Sequence, residues 1–221
     1  MLGYVCKYTP MELFEAMDTE ITRLEPSVTD FNHADTLMHA NICSYTKAVL
    51  EDVMEHDYEG VILTTCCDSI RRLYDTLKSQ FPDKFFFLLD IPRKFNDFAV
   101  TLYERQLKQM LTEYEAFSGK TLDLKRFVSM MQNKAALKKQ ENTRMSASAA
   151  SEKGNGQKLN IGIMGARCNN EIRQLLVDRG ANLLFDLTCT GLARDFSITE
   201  DHVLHSYAAA LLNQIPCMRM L

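Results

Sequence analysis

Short apolar runs alternate with longer amphipathic segments along the first half of the chain. Residues 60–65 and 85–90 have the length and apolar composition of buried β-strands. Helical periodicity follows each run, over residues 68–80 and 95–117. Strands that alternate with helices of this length predict a parallel sheet with right-handed crossovers, and therefore an α/β fold.

The same alternation extends toward both ends of the chain. The other predicted strands and helices lie at residues 2–6, 11–17, 41–54, 122–140, 159–164, 169–178, 182–187 and 198–214. The last helix is expected to begin near Thr199, whose hydroxyl suits an N-cap. The restart of the pattern near residue 159 indicates a second lobe, again with parallel strands.

A change of composition separates the two lobes. Residues 141–158 are rich in Ser, Ala, Gly and Lys, which predicts a flexible linker. Residues 1–140 are then the first α/β lobe, and residues 159–221 are a partial second lobe. Because two strands do not make an independently stable parallel sheet, we expect the second lobe to be incomplete and the chain to be C-terminally short.

Charge and hydropathy exclude several classes of protein. The net charge of −4 over 221 residues leaves no basic excess for nucleic acid. No apolar run reaches about 18 residues, so a membrane span is not expected. The start of the chain lacks the basic segment and long apolar core of a signal peptide. These features favour a cytoplasmic protein with neither a nucleic-acid nor a membrane partner.

Seven cysteines require an explanation in a cytoplasmic chain, where disulfides are rare. Five of them follow a predicted strand or lie beside a predicted helix end: Cys43, Cys66, Cys67, Cys189 and Cys217. Ligands of open α/β sheets bind at the carboxyl ends of the strands, and helix N-termini favour thiolates. Iron–sulfur clusters are held by such thiolates.

A structural role for these cysteines remains open, because free cysteine often acts as a small buried hydrophobe. Their spacing matches neither a zinc finger nor a ferredoxin. Cys6 and Cys168 are expected to be structural.

Adjacent side chains of an extended segment point to opposite faces, so Cys66 and Cys67 are awkward ligands for one iron. Either one of the two is a bystander, or the pair serves two metal centres.

Seven segments of the chain resemble one known family. They are the sequences at residues 3–12 (Gly-Tyr-Val-Cys-Lys-Tyr-Thr-Pro-Met-Glu), 39–45 (His-Ala-Asn-Ile-Cys-Ser-Tyr), 64–75 (Thr-Thr-Cys-Cys-Asp-Ser-Ile-Arg-Arg-Leu-Tyr-Asp), 89–93, 160–167, 186–191 and 215–219. Together they resemble the 2-hydroxyacyl-CoA dehydratase D-component family, which also includes benzoyl-CoA reductase subunits and double-cubane cluster reductases.

The resemblance implies an oxygen-sensitive protein with two Rossmann-like lobes and a [4Fe-4S] or double-cubane cluster. It further implies that a separate ATP-dependent activator supplies a low-potential electron. In the dehydratases, this electron converts the acyl-CoA thioester to a ketyl radical. By the motif match, Cys43, Cys67 and Cys217 are the implied metal ligands. Cys66 and Cys189 join the cofactor-binding set if the chain belongs to the double-cubane branch.

The expected function is therefore the iron–sulfur component of a 2-hydroxyacyl-CoA dehydratase-type system, a lyase or reductase. Three alternatives stay open at this stage. The chain could be a double-cubane cluster reductase of a small molecule, a non-catalytic subunit of a homodimer or heterodimer, or an inactive fragment. The acyl-CoA substrate follows from the resemblance alone.

Overall fold

The structure divides the chain into two units. The computed structural model describes residues 1–28, 30–149, 159–165, 167–189, 198–199 and 201–214, with the backbone alone for residues 137–149. The first unit comprises Met1–Pro92 and Asn96–Asp123, and the second comprises Arg93–Phe95 and Leu124–Leu221.

Four parallel strands form the sheet of the first unit. They are β1 (Leu2–Tyr4), β2 (Ile21–Arg23), β3 (Gly60–Thr64) and β4 (Phe85–Leu89). Their order across the sheet is β2-β1-β3-β4, and every pair of neighbours is parallel. The prediction of an α/β fold with a parallel sheet is confirmed.

Five helices belong to this unit: α1 (Met11–Ala16), α2 (Asn32–Leu37), α3 (Ser44–Glu55), α4 (Asp68–Gln80) and α5 (Asp97–Ser118). Helices α3 and α4 contact each other, α4 contacts β3 and β4, and α5 contacts β4. All five residues of β3 are buried, so both faces of the sheet are covered at its centre. This explains why β3 is a continuous apolar run and not an alternating one.

Local capping fixes the ends of α5. The Asn96 side chain accepts a hydrogen bond of 2.8 Å from the Ala99 amide and caps the first turn. At the other end Gly119 adopts the left-handed conformation, with φ of 71°, and its amide donates to the Glu115 carbonyl. The predicted helix over residues 95–117 therefore has the correct extent to within two residues.

Two elements of this unit carry no clear signal in the sequence. Strand β2 has three half-buried residues and lies at the edge of the sheet. Helix α2 has only six residues, of which Ala34 alone is buried. Helix α3 begins at Ser44, within three residues of its predicted start, because Cys43 has the extended backbone of an N-cap.

The second unit contains the remaining elements: α6 (Leu124–Ala149), β5 (Leu159–Ile163), α7 (Asn170–Asp178), β6 (Ala181–Asp186) and α8 (Val203–Leu212). Strands β5 and β6 pair in parallel, as predicted. The rings of Phe127 on α6 and Tyr207 on α8 are fully buried and meet edge to face, with centroids 5.1 Å apart. This contact joins the two helices within the unit.

Two predicted helix boundaries in this unit are wrong. Helix α6 continues to Ala149 instead of ending near Gln140. Residues 141–149 hold Ala, Met, Arg and Glu and no Gly or Pro, so nothing in them breaks a helix. The rest of the proposed linker, residues 150–158, lies outside the described residues. Helix α8 begins at Val203 after His202, and Thr199 is not its N-cap.

Helix α5, with 22 residues, is amphipathic. Helix α5 buries one stripe, which includes Val100, Tyr103, Leu107 and Tyr114, and exposes charged residues on its other face. Over the described ranges, no helix is both long enough and apolar enough to cross a membrane.

Candidate metal centre

The loops after β1, β3 and β4 carry the candidate chemistry of the first unit. Because these strands are parallel and in register, with Tyr4 opposite Ile62 and Thr64 opposite Leu89, their carboxyl ends meet at one edge of the sheet. Cys6 follows β1, the Cys66–Cys67 pair follows β3, and Asp90 follows β4. This is the edge at which α/β proteins bind ligands.

The Cys66–Cys67 pair lies in a turn, not in an extended strand. Thr65 and Cys66 form the turn, and Cys67 is the N-cap of α4. The two thiols hydrogen-bond to each other, so the expectation that they point to opposite faces is wrong. The argument that the two cysteines are awkward ligands for one iron loses its basis with that correction.

The Cys66 thiol is held in its protonated form when no metal is bound. Its hydrogen bond with Cys67 is the main cause that raises the pKa of Cys66, followed by burial and by the nearby Cys6. The Thr64 side chain lowers the pKa without offsetting these effects. Cys6, expected to be structural, is indeed buried, but it lies close enough to influence this pair.

Thr65 links the loop after β3 to the loop after β4. Its hydroxyl donates to the Asp90 carboxylate over 2.5 Å and accepts from the Ile91 amide over 3.3 Å. Its amide donates to the Leu89 carbonyl over 3.0 Å. These three bonds, which we call the Thr65 clamp, fix the turn that carries Cys66 and Cys67.

Removing the hydroxyl of the clamp should loosen this turn. We expect Thr65→Val to lower the free energy of unfolding by about 1 kcal/mol, the typical net value of a hydrogen bond. A thiol-reactive dye should modify Cys66 and Cys67 faster in this variant, as judged by mass spectrometry of the labelled peptide. Thr65→Ser should behave as the wild type. Thr76→Val, which removes an exposed hydroxyl bonded within α4, is the matched control. Equal labelling of all four proteins would contradict this role.

Cys43 begins α3 as Cys67 begins α4. Its backbone is extended, and its carbonyl accepts the first bond of the helix from the Lys47 amide. The Cys43 side chain is exposed, and its Sγ lies 3.1 Å from the buried Thr46 Oγ1. Two cysteines therefore stand at the N-termini of two helices that contact each other.

A buried carboxylate, missed in the sequence, holds the segment that precedes Cys43. Glu51 on α3 is 2% exposed, and its two oxygens accept from the Ala34 amide over 2.8 Å and contact His33 Nδ1 at 2.7 Å. Both partners lie on α2, so Glu51 fixes α2 against α3. An acidic residue at a buried position of an amphipathic helix is the signal that could have revealed it.

His39 lies in the loop between α2 and α3. Its side chain is exposed, and its Nδ1 accepts a hydrogen bond of 3.2 Å from the Asn41 amide. The ring is therefore open to solvent four residues before Cys43.

The second unit carries the remaining candidate cysteines. Cys189 is half-buried and follows β6 through a turn in which Asp186 accepts from the Thr188 amide and hydroxyl. Arg173 on α7 pairs with the same carboxylate. Cys168 is buried, as expected for a structural residue. Cys217 lies outside the described residues.

The structure thus brings together the Cys66 and Cys67 thiols, with Cys6 near enough to raise the pKa of Cys66. In the part of the chain that the structure describes, no group of three or more His, Cys, Asp or Glu side chains is arranged to hold a metal ion. The ligand set of the sequence analysis therefore stays a prediction.

Comparison with known proteins identifies the family. No curated protein matches the sequence. Residues 6–143, more than half of the chain, match the family described as 2-hydroxyglutaryl-CoA dehydratase, D-component. This range contains Cys6, Cys43, Cys66 and Cys67. The resemblance inferred from the motifs is confirmed, and the chain belongs to the 2-hydroxyglutaryl-CoA dehydratase D-component family.

Proposed function

We propose that the protein is the iron–sulfur component of a 2-hydroxyacyl-CoA dehydratase-type system. The observation that carries this proposal is the pair of cysteine N-caps, Cys43 and Cys67, on two contacting helices inside the range that matches the family. A low-potential electron would come from an ATP-dependent activator protein. The substrate would be an acyl-CoA thioester or a related small molecule.

The candidate ligands are cysteines, which are the chemical type of side chain that holds an iron–sulfur cluster. Thiolate sulfur is the usual protein ligand of such clusters, and Cys43 and Cys67 each stand where a helix dipole stabilises negative charge. Cys43, Cys67 and Cys217 are the residues that would hold the cluster, with Cys66 and Cys189 as further candidates. When bound, the cluster would supply a one-electron carrier of low potential.

The residues of the chain would then orient and protect this centre. Cys43 and Cys67 stand at the N-termini of α3 and α4, where the positive end of the helix dipole would lower the cost of negative charge on a bound centre. The Thr65 clamp holds the Cys66–Cys67 turn against the loop after β4. Exposed His39, four residues before Cys43 in the sequence, is a candidate proton donor.

Anaerobic reconstitution tests the proposal directly. Protein purified without oxygen and supplied with iron and sulfide should retain both and develop a brown absorbance that bleaches on reduction. Two clusters per chain would identify the double-cubane branch instead of a single [4Fe-4S] centre. Protein that retains no iron or sulfide would contradict the proposal.

Turnover separates a catalytic component from a partner subunit. The loaded protein should dehydrate or reduce an acyl-CoA only when the activator, ATP and a strong reductant are all present. Loaded protein that remains inactive with these additions, yet becomes active with a second subunit, would identify a non-catalytic member of a heterodimer. Size-exclusion chromatography of the mixture would show that complex.

A further inference from the structure

Thr46 places a buried hydroxyl against the Cys43 sulfur. The Thr46 side chain is fully buried in the first turn of α3, and its Oγ1 lies 3.1 Å from Cys43 Sγ. Among the described residues, Cys43 Sγ is the hydrogen-bond partner that the structure gives to this hydroxyl. Because a buried hydroxyl needs a partner, this contact is the one that satisfies Thr46.

The direction of this hydrogen bond depends on the state of Cys43. Between a neutral thiol and a hydroxyl, either group can donate. A thiolate bound to iron has no proton, so the Thr46 hydroxyl must then be the donor. Cys43 is the N-cap of α3, yet its side chain accepts no bond from the amides of the first turn. The hydroxyl therefore takes the place that a backbone amide usually has beside an N-cap side chain.

We propose that Thr46 tunes the reduction potential of the iron–sulfur centre through its hydrogen bond to the Cys43 sulfur. This inference rests on the proposed function. Reduction adds negative charge to a cluster and to its sulfur ligands. A hydroxyl that donates to one of these sulfurs stabilises the reduced state more than the oxidised state. The potential is consequently higher with Thr46 than without it, which makes electron acceptance from the activator easier.

Substitution at residue 46 tests this role with the potential itself as the readout. Thr46→Val keeps the side-chain shape and removes the donor, whereas Thr46→Ser keeps the donor. We expect a more negative midpoint potential for Thr46→Val, by about 59 mV, which corresponds to a tenfold change in a one-electron equilibrium. Thr46→Ser should remain near the wild type. Both variants should keep their iron, and spectroelectrochemical titration measures the potentials.

Two further variants complete the experiment. Thr112→Val removes an exposed hydroxyl on α5 that bonds to the Lys108 carbonyl, so its potential should equal that of the wild type. Thr46→Ala removes the donor without the added methyl group of valine, and it replaces Thr46→Val if circular dichroism shows that the valine variant does not fold.

The possible results distinguish failure of the tuning role of Thr46 from failure of the proposed iron–sulfur function. Loaded wild type and loaded Thr46→Val with the same potential would overturn the tuning role and leave the proposed function intact. Folded Val and Ala variants that both lose iron would also overturn it, because the hydroxyl would then be needed for retention of the cluster. Wild-type protein that binds no iron would overturn the proposed function, and this inference with it.

Discussion

Gly60→Ala should destabilise the first unit by about 3 kcal/mol or more, at the upper end of the range for overpacking in a core. A Cβ added at Gly60 would lie 1.9 Å from the Phe85 carbonyl oxygen and 2.6 Å from its carbonyl carbon. These are backbone atoms of the neighbouring strand, and Gly60 and Phe85 form the first pair of β3 and β4. The clash can be relieved only by separating the two strands.

The surroundings of Phe85 leave no room for that separation. Its ring meets Tyr114 edge to face at 5.0 Å and lies 5.6 Å from Phe117, and both of these residues belong to α5. The Phe85 amide donates to the Glu59 carbonyl over 3.0 Å, directly before the Gly60 pair. A shift of β4 would therefore disturb the contact with α5 and the pairing together. Urea unfolding followed by circular dichroism measures the expected loss.

Gly162→Ala is the matched control, because Gly162 also lies in a strand and also has a phenylalanine opposite. Its added Cβ would come within 2.1 Å of the Phe185 ring. That ring is 48% exposed, so it can turn into solvent and remove the clash. We expect a loss below about 1 kcal/mol for this variant, as for substitutions that a site can accommodate. Equal losses for the two alanine variants would show that the β3–β4 backbone contact is not the cause.

The elements that surround this contact are also those that the sequence predicts best. Strand β3, helix α4 and strand β4 each carry an apolar pattern long enough to define them, and α4 has the predicted bounds, Asp68–Gln80. Strand β2 and helix α2 are too short and too exposed to show a period. They are held by contacts distant in sequence, such as Glu51 with Ala34, which no local pattern contains.

The candidate site also has features that the sequence predicts and features that it does not. The position of Cys43 and Cys67 at helix N-termini follows from where the helical periodicity begins. The Thr65 clamp does not, because it joins residues 65 and 90 through the pairing of β3 with β4. The contact of Thr46 with Cys43 lies within one helical turn, yet nothing in the sequence indicates that this threonine is buried. The role of Thr46 depends on its burial, and the hydrophobic pattern of a sequence predicts burial only for apolar residues.

Cys43→Ser and Cys67→Ser should each abolish retention of the iron–sulfur cluster. The serine oxygen is a harder donor than thiolate sulfur and keeps its proton at neutral pH, so it replaces an iron ligand poorly. Cys43 is exposed and Cys67 half-buried at the starts of their helices, so neither change should unfold the chain. Iron and sulfide analysis after anaerobic reconstitution, together with the visible absorbance, measures the loss.

Cys168→Ala is the control for loss of a cysteine that holds no iron. Cys168 is buried in the second unit, and its thiol donates to the Asn169 carbonyl over 3.7 Å. This variant should keep the full iron content of the wild type. If Cys43→Ser or Cys67→Ser keeps it as well, the ligand assignment is wrong even where the wild type binds a cluster.

Cys66→Ser decides between the two kinds of centre. With one [4Fe-4S] cluster held by Cys67, the Cys66 thiol is only a hydrogen-bond partner of its neighbour, and the serine hydroxyl can keep that bond. The iron content should then stay at the wild-type level. With a double-cubane centre, Cys66 would be a ligand in its own right, and the same substitution should remove part of the iron. The contact between the two thiols gives Cys66 a partner without any metal, so we expect Cys66→Ser to leave the iron content of the protein unchanged.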